Sequence, residues 1–158
     1  MRKIFAFTIL FFLLLFQSIL FAQLQRVVKV ERVIDGDTFV LTNGERVRLL
    51  GVDTPELSSS DSTLRNLAFV ALAHTREMID GRNIKLTFDG NRKDIFGRTL
   101  AYAMVLNRKG KDSLFIQAEL LKSGLARIMM YPKNRLYYAL FYNLRNAARK
   151  KHLGIWNK

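Results

Sequence analysis

From Gln25 to Ile34 (QRVVKVERVI) apolar and polar residues alternate, the period of a strand with one buried face. Thr38–Thr42 reads as a second short strand and is followed by Asn43-Gly44, a dipeptide suited to a tight hairpin. Glu45–Leu50 (ERVRLL) is the third strand, with Val47 and Leu49 on one face and Arg46 and Arg48 on the other. The period then lengthens. Leu64, Leu67, Ala68, Ala71, Leu72 and Ile79 recur at helical spacing from Leu64 to Asp80, after a polar loop (Ser58–Ser62) with capping residues and before a Gly81 stop. Asn83–Phe88 and Thr99–Leu106 are predicted strands on either side of a charged loop, DGNRKDIFGR, and Asn107–Gly110 is a turn. Leu114–Lys122 reads as a short helix ended by Gly124, and Leu125–Met130 as extended. A last helix is predicted over Asn134–Lys151, with Leu136, Leu140, Leu144 and Ala148 stacked on its buried side. Five short strands with three helices predict one small β-barrel with helical packing, an OB-type barrel being the arrangement that leaves no long sheet edge exposed.

The first 22 residues stand outside this pattern. MRK, an almost wholly apolar run and SILFA before Gln23 match a secretory signal, with cleavage expected after Ala22 and residues 23–158 forming the domain. An uncleaved anchor is the alternative, because the apolar stretch approaches spanning length. Cleavage would remove two basic residues and no acid, leaving 24 basic and 13 acidic side chains and a formal charge of +11. An exported domain this basic is expected to meet a polyanion: nucleic acid, acidic polysaccharide or anionic membrane. With no cysteine, disulfides and thiolate metal sites are excluded, and only His74 and His152 remain as nitrogen ligands, far apart in the chain. Any chemistry falls to carboxylates and arginines.

Those residues gather at element ends. Asp35 and Asp37 flank the first strand junction in VIDGDT, where Gly36 is expected to supply a positive-φ reversal. Asp53 and Glu56 follow the third strand in GVDTPE, with Pro55 between them; Arg48 lies on that strand and Arg98 closes the charged loop. Each piece has a plain alternative as a turn, a helix entry or a solvated residue. Together they allow three or four carboxylates to converge with two arginines between them. That cluster would call for a hard cation, and the guanidinium forks for a phosphate.

The runs VIDGDT, VRLLGVDTPE and DIFGRTLAY, in this order and at these separations, resemble the staphylococcal nuclease family, and LLKSGLA and the terminal GIW fit the same pattern. The resemblance extends from about Arg26 to Trp156. It implies a five-stranded OB barrel with three helices that hydrolyses DNA and RNA using Ca2+. By the same resemblance Asp37, Asp53 and the Thr54 carbonyl would hold Ca2+, Glu56 would act as general base or orient water, and Arg48 and Arg98 would hold the scissile phosphate. Asp35 would support the ligands from behind. The chain departs from the pattern at Phe96, where a tyrosine is frequent, and at RIMMYPKN, which leaves Tyr131 as the remaining ring of a tyrosine-rich stretch. Phe96 and Tyr131 are therefore the candidates for nucleotide stacking, with cleavage expected to persist and affinity to change. The loop LSSSDSTLRN is shorter and less lysine-rich than in the best-known member.

A secreted or periplasmic monomeric nuclease, preferring single-stranded or unpaired DNA and RNA, is the favoured expectation. The others are a non-catalytic OB-fold nucleic-acid-binding module and a membrane-held basic adhesion or cell-wall protein. N-terminal sequencing of the exported product should begin at Gln23; a product still beginning near Met1 would establish the anchor instead.

Overall fold

A computed structural model describes residues 25–157, so residues 1–22, where a signal or anchor is expected, lie outside the described residues. Eight strands and three helices follow one another: β1 (Gln25–Val33), β2 (Thr38–Leu41), β3 (Arg46–Leu49), β4 (Gly51–Asp53), α1 (Ser62–Ile79), β5 (Asn83–Thr87), β6 (Thr99–Leu106), β7 (Asp112–Phe115), α2 (Ile116–Lys122), β8 (Arg127–Met129) and α3 (Tyr138–Lys150). A short 3-10 turn over Gly154–Trp156 ends the fold. The main sheet runs β3-β2-β1-β5-β6-β7, and β3 also pairs with β6 in parallel, so the strongly twisted sheet curls back on itself. β1, β2, β3, β5 and β6 are the five strands of the expected OB barrel. β7 extends β6 as a hairpin, while β4 and β8 form a separate antiparallel ribbon.

The interior is filled by the inward residues of the strands, among them Phe39, Val47, Leu49, Ile84, Leu86 and Leu100, and by Ile116, Leu120 and Leu121 of α2. β2, paired with β1 on one side and β3 on the other, is buried at every position. Glu45 braces the return of β3 onto β6. Its carboxylate accepts from Arg26 Nη2 on β1 (2.6 Å) and from the Thr99 hydroxyl on β6. Burial works against ionisation of Glu45, but the hydrogen bonds from Thr99 and Arg26 outweigh it and hold the carboxyl below its usual range. Asp61 caps α1, accepting from Thr63 N (2.8 Å) and Leu64 N (3.2 Å), and Gly81 ends the segment at φ +68°.

Two helix boundaries differ from the sequence reading. Leu114 and Phe115 belong to β7, paired with Val105 and Met104, because the ladder to β6 satisfies their backbone before α2 begins. The last helix starts at Tyr138. Asn134 is buried outside it, and its amide donates to the carbonyls of Asp89 and Asn91. The buried side of α3 is partly as predicted: Ala148 is inside and Leu144 packs against the core, but Phe141 joins them whereas Leu136 and Leu140 are exposed. Phe141 is one residue beyond Leu140, about 100° around the helix. It packs with Phe115 (5.5 Å between ring centres), Tyr102 (6.1 Å) and Tyr137 (6.1 Å), and this aromatic cluster completes the buried side in place of Leu136 and Leu140.

Phe141 also sets the position of β4. Gly51 takes φ +81°, and a Cβ there would lie 2.6 Å from Phe141 Cε2. Gly51 opens the ribbon that carries Asp53, so the aromatic cluster fixes where that carboxylate emerges. Gly51→Ala should destabilise the protein by about 3 kcal/mol, measured by urea unfolding, through backbone strain and the clash together. A loss near zero would show that Phe141 can move aside.

Candidate active site

Arg48 is the centre of the site. The alternation along β3 placed it beside the exposed Arg46, yet its side chain is buried at 5% exposure because β4 and β8 close over the end of β3. Nη1 donates to the carbonyls of Leu49 (3.0 Å) and Val52 (2.8 Å). Nη2 lies 2.8 Å from Asp53 Oδ1 and 3.0 Å from Asp37 Oδ2, so both carboxylates meet on one nitrogen. Met129 Sδ of β8 is 3.9 Å away on the same side. Four oxygens thus hold a planar fork with little rotational freedom.

Asp37 comes to this point from the turn between β1 and β2. Ile34 N and Asp35 N both donate to Thr38 O, and Asp37 N donates to Asp35 Oδ1 (3.0 Å). The turn is as expected, but its glycine is needed for a different reason. Gly36 does not adopt a left-handed φ; a Cβ there would lie 2.8 Å from Ala71 Cβ of α1 and from Thr54 Cγ2 and Oγ1. The backbone approaches α1 so closely that Thr75 Oγ1 donates to Gly36 O at 2.7 Å. Asp37 Oδ2 in turn accepts from Thr54 N (2.8 Å) and Thr54 Oγ1 (3.0 Å). Burial pushes its carboxyl up to about 7 even though the Arg48 charge and the Thr54 hydrogen bonds favour the ionised form.

The remaining candidates are placed differently from one another. Asp53 is half-exposed, and with Thr54, Pro55 and the exposed Glu56 it lines an open cleft of about 410 Å³ whose far walls are Ser58–Ser60, Leu64, Arg127 and Ile155. Among the described residues no three carboxylate or histidine side chains converge as a metal-binding group. The sequence reading allowed three or four; two meet on Arg48, while Glu56 points from the cleft wall. Two arginines do not stand between them either. Arg98 is bonded to Asp94 on its own loop, through Nε to Oδ2 (2.7 Å) and its backbone N to Oδ1 (2.9 Å). Burial opposes the Asp94 charge, but those Arg98 bonds prevail and hold its carboxyl low. The Arg98 guanidinium stacks 5.4 Å from the ring of Phe96, which is 75% exposed at the loop tip. Tyr131 is half-buried against the core and bridges to Asn134.

Sequence reasoning missed Thr75, which pins the Asp37 turn, and Arg127, which the β4–β8 register sets opposite Asp53. A helical threonine at core spacing carries no local sign of a partner 39 positions away. The register of a three-residue ribbon likewise has no signature in periodicity.

Two carboxylates on a buried arginine, beside a cleft with a further exposed carboxylate and carried on a curled five-strand sheet, are the candidate site of this fold. Residues 46–158 match the family model described as staphylococcal nuclease homologue. A thermonuclease of Staphylococcus intermedius is 38% identical over 132 residues, covering 82% of this chain and 75% of that protein. A thermonuclease of Staphylococcus hyicus is 33% identical over 132 residues with the same coverage. An endonuclease of Bacillus subtilis, YncB, is 38% identical over 136 residues, and the chain spans 62% of its length. The chain belongs to the staphylococcal nuclease family, and it is a nuclease, a phosphodiesterase by reaction class.

Replacing Arg48 tests its role as a clamp. Arg48→Met leaves two carboxylates facing each other without their shared cation and should cost about 3 kcal/mol in urea unfolding. Adding Asp37→Asn should return part of that loss, giving a coupling of about 1 kcal/mol or more. Additive losses would mean that the pair is independent.

Proposed function

We propose that this chain is an exported, Ca2+-dependent nuclease that hydrolyses phosphodiester bonds of both DNA and RNA with little sugar specificity. One observation carries the reading: Asp37 and Asp53 meet on Arg48 at the edge of the cleft that Glu56 lines. The donors at that edge, two carboxylates and the Thr54 carbonyl, are hard oxygens, and they fit a calcium ion completed by water and phosphate. Bound there by Asp37, Asp53 and Thr54, Ca2+ would supply Lewis-acid polarisation of the phosphoryl oxygen and of nearby water.

The chain's own residues do the rest. Glu56, exposed on the cleft wall, accepts the proton of the attacking water; its freedom from ion pairs keeps that oxygen available. Arg48 donates to the phosphoryl oxygens as charge builds on them, and its preset fork needs little reorganisation. Because Nη2 also holds both carboxylates, cation binding and phosphate binding draw on the same ion pairs. Arg98 is the second phosphate donor, carried toward the substrate by the loop that ends at β6, with Asp94 fixing its orientation. A guanidinium is a poor acid, so the leaving oxygen takes its proton from water. Asp35 supports Asp37 through the turn. Phe96 and Tyr131 offer rings to unpaired bases, which favours single-stranded substrate for a monomeric enzyme.

Digestion of single-stranded DNA by the purified domain, with Ca2+ and with chelator, tests this. Wild type should cleave only with Ca2+, and Glu56→Gln should lower kcat about 10²–10⁴-fold while DNA binding persists. Binding without Ca2+-dependent cleavage by wild type would make the chain a non-catalytic OB module.

A further inference from the structure

We propose that Arg127, with the serine wall opposite it, forms a second phosphate subsite that grips the phosphodiester next to the one being cleaved. In the β4–β8 ribbon Arg127 pairs directly with Asp53, which puts both side chains on the same face of the ladder. The obvious ion pair is not made. Asp53 turns to Arg48 instead, and among the described residues no hydrogen bond, ion pair or ring contact holds Arg127. Its guanidinium is exposed and lines the same cleft as Asp53 and Glu56.

The charge balance of that cleft gives the free cation its purpose. The charged side chains in its lining are Asp53 and Glu56 against Arg127 alone. A nucleic-acid chain entering toward Glu56 carries a negative charge at each nucleotide and would meet two carboxylates. Arg127 offsets them with a planar, two-pronged donor suited to a phosphate. Across the cleft, Ser58, Ser59 and Ser60 supply small hydroxyl donors. That wall is fixed: Arg65 Nη1 donates to Ser59 O at 2.8 Å, Ser59 N donates to Glu56 O at 3.1 Å, and Asp61 caps the helix that follows. The subsite therefore needs no ordering of the loop when the strand arrives.

The inference rests on the nuclease reading, and its test separates the two. Cleavage is compared on a dinucleotide, which has a single phosphodiester, and on a single strand of about twelve nucleotides. For wild type the longer strand should have the higher kcat/KM. Arg127→Gln should lower the ratio of the two kcat/KM values about tenfold, through a raised KM for the long strand, and Arg127→Lys should restore part of it. The salt dependence of long-strand binding by Arg127→Gln should weaken by about one phosphate contact. A wild-type ratio in Arg127→Gln overturns the subsite, as does an equal loss on both substrates with a shifted pH profile, which would make Arg127 a positioning group for Glu56. A wild type inactive on both substrates overturns the subsite and the nuclease reading together.

Discussion

Everything at the working end of this molecule depends on one guanidinium held in place by four oxygens. Arg48 is buried between two carboxylates and two carbonyls, contributed by its own strand, by adjacent residues of β4 and by the β1–β2 turn. A buried ion pair of this kind adds little net stability, because desolvation consumes most of the attraction. It is, however, very demanding about position. Asp37 can reach Nη2 only if the β1–β2 turn lies against α1, and Asp53 only if the ribbon leaves β3 at the right angle. The arginine therefore converts three separate pieces of backbone into one site.

Two glycines make that convergence possible, for two different reasons. Gly51 bends the chain with a left-handed φ under the ring of Phe141, and Gly36 lets the turn touch Thr54 and Ala71 without a left-handed φ at all. Around the first, Tyr102, Phe115, Tyr137 and Phe141 build an aromatic cluster in which Tyr102 and Tyr137 lie 4.7 Å apart, edge to face. That cluster links β6, β7 and α3, so the position of the cleft edge that carries Asp53 is inherited from the packing of Phe141 against Gly51. Around the second, Thr75 and Thr54 satisfy the carbonyl and carboxylate that the close approach would otherwise leave stranded.

The cleft shows a division of charge. Arg48 and Arg98 are both occupied by carboxylates, and Glu45 engages Arg26. Arg127 and Glu56 face solvent without such partners in the lining of the same open space.

Much of this was legible before the structure. Alternation marked the five barrel strands, the lengthened period marked α1, and VIDGDT with GVDTPE marked two halves of one site. Local pattern determines those features because strand and helix periods, caps and turns are set within a few residues. What it could not determine was anything fixed by a distant partner. On α3, Leu144 and Ala148 of the expected stripe face inward, but Phe141 rather than Leu136 and Leu140 completes the buried side, because its ring packs with Tyr102 of β6 and Phe115 of β7. Arg46 and Arg48 shared a face by alternation, and only the overlying ribbon buried one of them. The sequence suggests a conformational role for Gly36, but its role is steric, since its neighbours arrive from α1 and from Thr54 just past β4. The sequence by itself determined which carboxylates and arginines are candidates at the element ends; the tertiary structure decided that Asp37 and Asp53 lock onto Arg48 and brought Arg127 opposite Asp53, because pairing across a ribbon depends on register that no single strand encodes.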